Sequence, residues 1–105
     1  MRRKLIVRPR AEIDRTSHFL YLSERSPDAA LRFDNAIKAA LIKLRTDPLL
    51  GATLDLPKVA HLDMRFYRPH GFDNYLIIFR QNDDTVYISR ILHGSQDIES
   101  AVLDA

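Results

Sequence analysis

The chain has no cysteine. That excludes disulfides, thiolate metal sites and a cysteine nucleophile, and it suits a reducing compartment. Its three glycines, Gly51, Gly71 and Gly94, lie too far apart to make a glycine-rich phosphate loop. No apolar run approaches the roughly 20 residues that cross a bilayer. Within the first ten residues the apolar stretch is only Leu5-Ile6-Val7, too short for the apolar region of a secretory signal. The chain therefore reads as cytoplasmic, with no membrane partner. There is no repeat, low-complexity tract or long linker. No histidine pair has the spacing of a zinc helix and no nucleophile-elbow motif surrounds a serine, so neither a metal nor a cofactor is expected.

What is present is the composition of a globular domain: 46% hydrophobic and 29% charged residues in 105. That length suits one domain, residues 1–105, with a modest core. The formal net charge is only +2, but it is unevenly placed. Arg2, Arg3, Lys4, Arg8 and Arg10 gather at the start, whereas the stretch from Ser95 onward holds Asp97, Glu99 and Asp104 and no cation. A basic head suits an acidic partner or nucleic acid. At so small a net charge a solvated surface is the default reading.

Lys4 to Arg8 is short, apolar-rich and stopped by Pro9, the pattern of a strand. Arg10 to Glu24 reads as a helix, with Ile13, Ser17, Leu20 and Tyr21 at helical spacing and Phe19 and Leu22 widening the face. Ser26-Pro27-Asp28 opens a second helix, combining an N-cap, a proline in the first position and an acid at the positive helix end. Its stripe is Ala30, Phe33, Ile37, Ala40, Leu41 and Leu44, and Asp47-Pro48 with Gly51 ends it. The short link makes the two helices an antiparallel hairpin. Residues 49–60 read as a loop. Three strands are expected next: Leu62–Tyr67, with Leu62, Met64 and Phe66 on one side; Asp73–Arg80, apolar on both faces as in a central strand; and Thr85–Leu92. Pro69-His70-Gly71 and Gln81-Asn82-Asp83-Asp84 supply the turns. Ser95–Leu103 reads as a short terminal helix with Ile98, Ala101 and Val102 inward. The order β-α-α-β-β-β implies an α+β fold, a helical hairpin packed on one face of an antiparallel sheet.

Two segments resemble the RelE/ParE superfamily of toxins. Tyr75-Leu76-Ile77-Ile78-Phe79-Arg80 is similar to that family's apolar central strand ending in aromatic–Arg. Ile88-Ser89-Arg90-Ile91-Leu92-His93-Gly94-Ser95-Gln96-Asp97-Ile98 resembles the ParE-like ending, a strand running into Arg-(Val/Ile)-Leu-His and then Asp-(Ile/Leu). Pro27-Asp28-Ala29-Ala30 with Phe33, and Asp47-Pro48 with Gly51, resemble the start and exit of the family's second helix. The resemblance implies a type II toxin made with a cognate antitoxin, usually from an adjacent gene. ParE toxins are known for poisoning DNA gyrase, whereas RelE-type relatives cut mRNA on the ribosome. It also implies that any DNA contact is made only through the antitoxin complex.

Cutting RNA without a metal needs a base, an acid and cations for the charge at phosphorus. His93 and His70 could exchange protons for such a nuclease, and Arg65, Arg68, Arg80 and Arg90 could bind phosphate, with Tyr87 near the last strand; the nuclease reading rests on His93, Arg65, Arg90 and Tyr87. Each has a plainer role open to it. Arg90 alternates with Val86, Ile88 and Leu92, so it lies at a sheet rim or pairs with a carboxylate. His93 ends a strand and suits a structural hydrogen bond. His70 sits in a turn. Arg65 and Arg68, three apart on one strand, point to opposite faces. His18 and His61 have no evident partner. Beyond Gly94 there is no Tyr, His, Lys or Arg, and the acidic tail repels phosphate. No catalytic residue is therefore assigned, and the leading expectation is a non-enzymatic inhibitor, with the endonuclease and a degenerate antitoxin-binding protein as alternatives. Arg65, Arg68, Arg90 and His93 are the expected target contacts. Leu20, Tyr21, Phe33 and Ile37 are the expected antitoxin contacts, by helix-in-groove docking.

Overall fold

The computed structural model describes residues 2–104. The first strand, β1 (Lys4–Val7), ends where Pro9 removes a backbone donor and opens helix α1 (Pro9–Arg25). Ser26 closes α1 and caps α2 (Pro27–Thr46), its side chain accepting from the Ala29 amide at 3.2 Å. After α2 come β2 (Ala52–Thr53), a 3-10 turn (Ala60–Leu62), β3 (Arg65–Tyr67), β4 (Tyr75–Gln81), β5 (Thr85–His93) and α3 (Ile98–Leu103). Asp97 caps α3 by accepting from the Ser100 amide.

The sheet runs β1-β5-β4-β3-β2. β1 lies parallel to β5, and the other neighbours are antiparallel. The fold is thus α+β, as the sequence implies, on a mixed five-stranded sheet. β4 is buried on both sides, with Ile77 and Ile78 each at 0% exposure. Ile77, Phe79, Val86, Ile88 and Ile91 face the helical hairpin and meet Phe33, Ile37 and Leu44 of α2. Leu76, Ile78 and Leu92 face the other way, under Leu54, Val59 and Met64 from the α2–β3 connection and Val102 of α3. Each of these large side chains contributes roughly 1.5–3 kcal/mol by leaving water.

Several expectations change. The third strand is only Arg65–Tyr67, because Asp63 adopts a left-handed φ of 55° and Leu62 belongs to the preceding turn. Leu62, Met64 and Phe66 still share one cluster. Residues 49–60 are not all loop, since Ala52 and Thr53 pair with Phe66 and Arg65. Asp73 and Asn74 stay in the turn before β4, and α3 starts at Ile98 rather than Ser95.

The largest correction concerns α1. Its inward face is Ala11, Asp14, His18 and Leu22, not the stripe of Ile13, Leu20 and Tyr21, which are 58%, 55% and 53% exposed. A charge and an imidazole replace apolar residues on the buried side, so hydropathy selects the wrong phase. A second phase error lies in β5. Ile78 pairs with Arg90 and Phe79 with Ile88, so a β-bulge inserts Ser89. Val86 and Ile88 therefore face the helices while Arg90 and Leu92 face away.

Candidate functional site

β1 covers only the first half of β5. The last β1 partner is Val7 opposite Ile88, and the Arg8 amide still reaches the Ile88 carbonyl at 2.9 Å. Beyond that point the free edge of β5 is closed by side chains of α1. The Asp14 carboxylate accepts from the Ile91 amide at 3.0 Å, and His18 Nε2 sits 2.8 Å from the Ile91 carbonyl. Asp14 and His18 are one helical turn apart, so they meet one strand residue from one helix face. Together they replace the strand neighbour that Ile91 lacks. Because a carbonyl only accepts, His18 carries its proton on Nε2. Burial lowers the His18 pKa from its ordinary value, against the opposing pull of the Ile91 carbonyl.

Arg90 locks this seam. It is 4% exposed, and its Nε and Nη2 donate to the two Asp14 oxygens at 2.7 and 2.9 Å. Its Nη1 donates to the Ala101 carbonyl of α3 at 2.7 Å. One guanidinium thus ties α1 to α3 past the edge of β5. The bond to Asp14 raises the Arg90 pKa further. Each guanidinium nitrogen of Arg90 has a hydrogen-bond partner and the side chain is buried, so it lies inside the fold rather than on the expected target-contacting surface.

Past Arg90, β5 ends in His93 at the mouth of a cavity of about 300 Å³ lined by His18, Tyr21, Tyr75, His93, Ser95 and Gln96. The Ser95 amide donates to His93 Nδ1 at 3.0 Å, so the neutral ring carries its proton on Nε2. Tyr75 stands edge-on between the two imidazoles, with centroids at 5.0 Å to His18 and 4.9 Å to His93. Burial, then Tyr21, raises the Tyr75 pKa. The cavity thus offers aromatic walls and polar tips, suited to seating an apolar or planar side chain.

The other expected site residues lie elsewhere. Tyr87 is six residues back along β5, roughly 20 Å from His93. Arg65 faces the helical side opposite Phe79 and donates to the Gly51 carbonyl at 2.8 Å. Arg68 follows β3, with its guanidinium on the Asp73 carbonyl and 5.4 Å from the Phe66 ring centroid. His70 and His61 are exposed. His93, Arg65, Arg90 and Tyr87 are therefore not brought together. Of the expected antitoxin contacts, Leu20 and Tyr21 are exposed, whereas Phe33 and Ile37 have 0% exposure and are corrected to core. Sequence reasoning missed Asp14 and His18 at the seam. The available signal was a charged and a polar residue four apart on the helix side opposite Ile13 and Leu20.

The whole arrangement from Leu5 to Ile98 matches the model of the "ParE toxin of type II toxin-antitoxin system, parDE". The chain belongs to the ParE toxin family. It is also 31% identical over 90 residues to "Toxin RelE1" of Caulobacter vibrioides, covering 86% of this chain and 91% of that protein. The ParE match spans both helices of the hairpin, β2 to β5 and the Asp14–Arg90 seam, and membership makes the chain the toxin of a type II pair with an antitoxin as its partner. Among the described residues no helix is long and apolar enough to cross a membrane.

Proposed function

We propose that this ParE-family toxin acts by binding its target rather than by cutting RNA, that the target is DNA gyrase, and that the antitoxin neutralises it in the cytoplasm. One observation carries the non-enzymatic half. The four groups on which a nuclease reading rests, His93, Arg65, Arg90 and Tyr87, are dispersed over the fold, and Arg90, three residues before His93, is buried and ion-paired with Asp14. The acidic N-terminal turn of α3 adds no cation there. The ParE-like ending supports gyrase as the target; within it Arg90 builds the frame and His93 is only partly buried, and Arg68, after β3, is exposed for target contact. Leu20 and Tyr21 lie together on the outer face of α1, and we assign them to antitoxin docking. DNA is contacted only through the toxin–antitoxin complex.

The test is supercoiling and cleavage by purified gyrase with and without the toxin, after confirming growth arrest. Inhibition relieved by the antitoxin is expected. Arrest with gyrase unaffected would sink the gyrase reading. A nuclease reading retains one support, the partly exposed His93 beside Tyr75. It requires cleaved mRNA in a translating extract, lost in His93→Ala or Arg65→Ala. No arrest on expression would identify a degenerate member.

A further inference from the structure

The face of the sheet turned away from the helical hairpin is only partly covered. α3 and the 54–64 segment close the end that holds Leu76, Ile78 and Leu92. The other end is open. There Ile6 of β1 and Arg80 of β4 flank Tyr87 of β5 in one cross-strand row, and Arg8 lies in the next row. The Arg8 guanidinium sits 5.6 Å from the Tyr87 ring centroid. Two shallow cavities of about 330 and 340 Å³ share Arg8 and Arg80 as walls. Lys4, Arg8 and Arg80 are exposed, and among the described residues none of their side chains has a hydrogen bond or ion pair. Ile6 is 44% exposed beside them.

Uncompensated cations around a half-buried tyrosine and an exposed isoleucine favour an anionic, partly apolar occupant. The borders decide its kind. Asp84 adjoins Lys4 at one end, its carbonyl accepting from the Lys4 amide at 2.8 Å. Asp104 lies at the other, 3.9 Å from Arg10. A nucleic acid, with one charge per about 1.7 Å of duplex, would run its phosphates over carboxylates at both borders. A short peptide need not. We propose that this open face docks a segment of the antitoxin in which two carboxylates flank an apolar side chain. The carboxylates pair with Arg8 and Arg80, two strands and thus about 10 Å apart, while the apolar side chain lies on Tyr87 and Ile6. This inference rests on membership of a toxin–antitoxin pair and is independent of the gyrase target.

The test is titration of the full-length cognate antitoxin onto purified toxin at low and moderate salt. Arg8→Glu with Arg80→Glu should weaken binding by roughly 100-fold and flatten its salt dependence. Arg8→Ala with Arg80→Ala should weaken it about tenfold. A charge-matched control on α2, Arg32→Glu with Lys43→Glu, should stay within about threefold. Neither the Arg8 nor the Arg80 side chain holds another element by a polar bond, and the backbone bonds of both residues survive substitution, so circular dichroism should report a native fold. Wild-type affinity and salt dependence in the first variant would overturn the proposal. So would unchanged antitoxin binding with loss of growth arrest, which makes this the target face. Loss of binding to a fluorescent single-stranded RNA with antitoxin affinity intact would overturn it too. If antitoxin binding falls as expected while gyrase proves unaffected, this inference stands and the gyrase reading fails.

Discussion

Replacing Asp14 with alanine should destabilise the toxin by about 4 kcal/mol. The carboxylate accepts three hydrogen bonds, two from Arg90 and one from the Ile91 amide. The side chains of Asp14 and Arg90 are 9% and 5% exposed, so solvent screens the pair little. Removing one partner of such a pair leaves a buried unpaired guanidinium, which costs roughly 3–5 kcal/mol. The orphaned Ile91 amide adds about 1–3 kcal/mol where water does not reach it. These costs overlap, because water admitted into the vacated space serves both donors, so the total stays near the upper part of the first range. A domain of this size has roughly 5–15 kcal/mol in all. The loss should therefore lower the melting temperature by roughly 15 °C. Urea unfolding followed by circular dichroism measures it, as a lower midpoint at an unchanged slope. Asp14→Leu combined with Arg90→Leu should be markedly less destabilised than Asp14→Ala, since no charge is left stranded. A loss below about 1 kcal/mol in Asp14→Ala would refute the account of the seam.

His18 gives a pH signature. Its folded pKa lies below its unfolded value, so the fold favours the neutral ring and the unfolded chain binds more protons between the two values. Its contribution is present above about pH 6.5 and lost as pH falls from there through the folded value. Urea midpoints at pH 7 and pH 5 should diverge in wild type and converge in His18→Gln, which keeps a donor to the Ile91 carbonyl. Gly51 sits at φ 87°, and a Cβ there would lie 2.8 Å from the Phe66 carbonyl and 2.9 Å from the Phe79 ring. Gly51→Ala should cost about 3 kcal/mol, and Gly71→Ala, strained at φ 80° but with open space around it, only about 1 kcal/mol; equal costs in thermal melts would contradict this. Leu20→Glu with Tyr21→Glu should leave the melting temperature near wild type and weaken antitoxin binding at least tenfold in titration calorimetry, and unchanged affinity would remove α1 from the docking surface.

The sequence by itself determined the elements whose signals are local. Ser26-Pro27-Asp28 and the Phe33–Ile37–Leu44 stripe placed α2, because capping and a helical period act within a few residues. The apolar run of β4 announced a central strand, and the Arg90–His93 ending carried the family resemblance. What only the tertiary structure decided are pairings between distant residues. The bulge at Ser89 reverses the facing of Arg90 relative to Ile88, and no alternation rule sees a register set by the partner strand. Asp14 reads as a solvent-facing acid until Arg90, 76 residues away, arrives beside it. His18 lacks a visible partner for the same reason, since the Ile91 carbonyl it serves is left free only because β1 stops at Val7. The open basic face likewise exists only once β1 lies parallel beside β5 and brings Arg8 and Arg80 to either side of Tyr87. Hydropathy ranks single residues by their preference for water. Which charges are buried, and which stay free for a partner, depends on neighbours the chain supplies from far along its length.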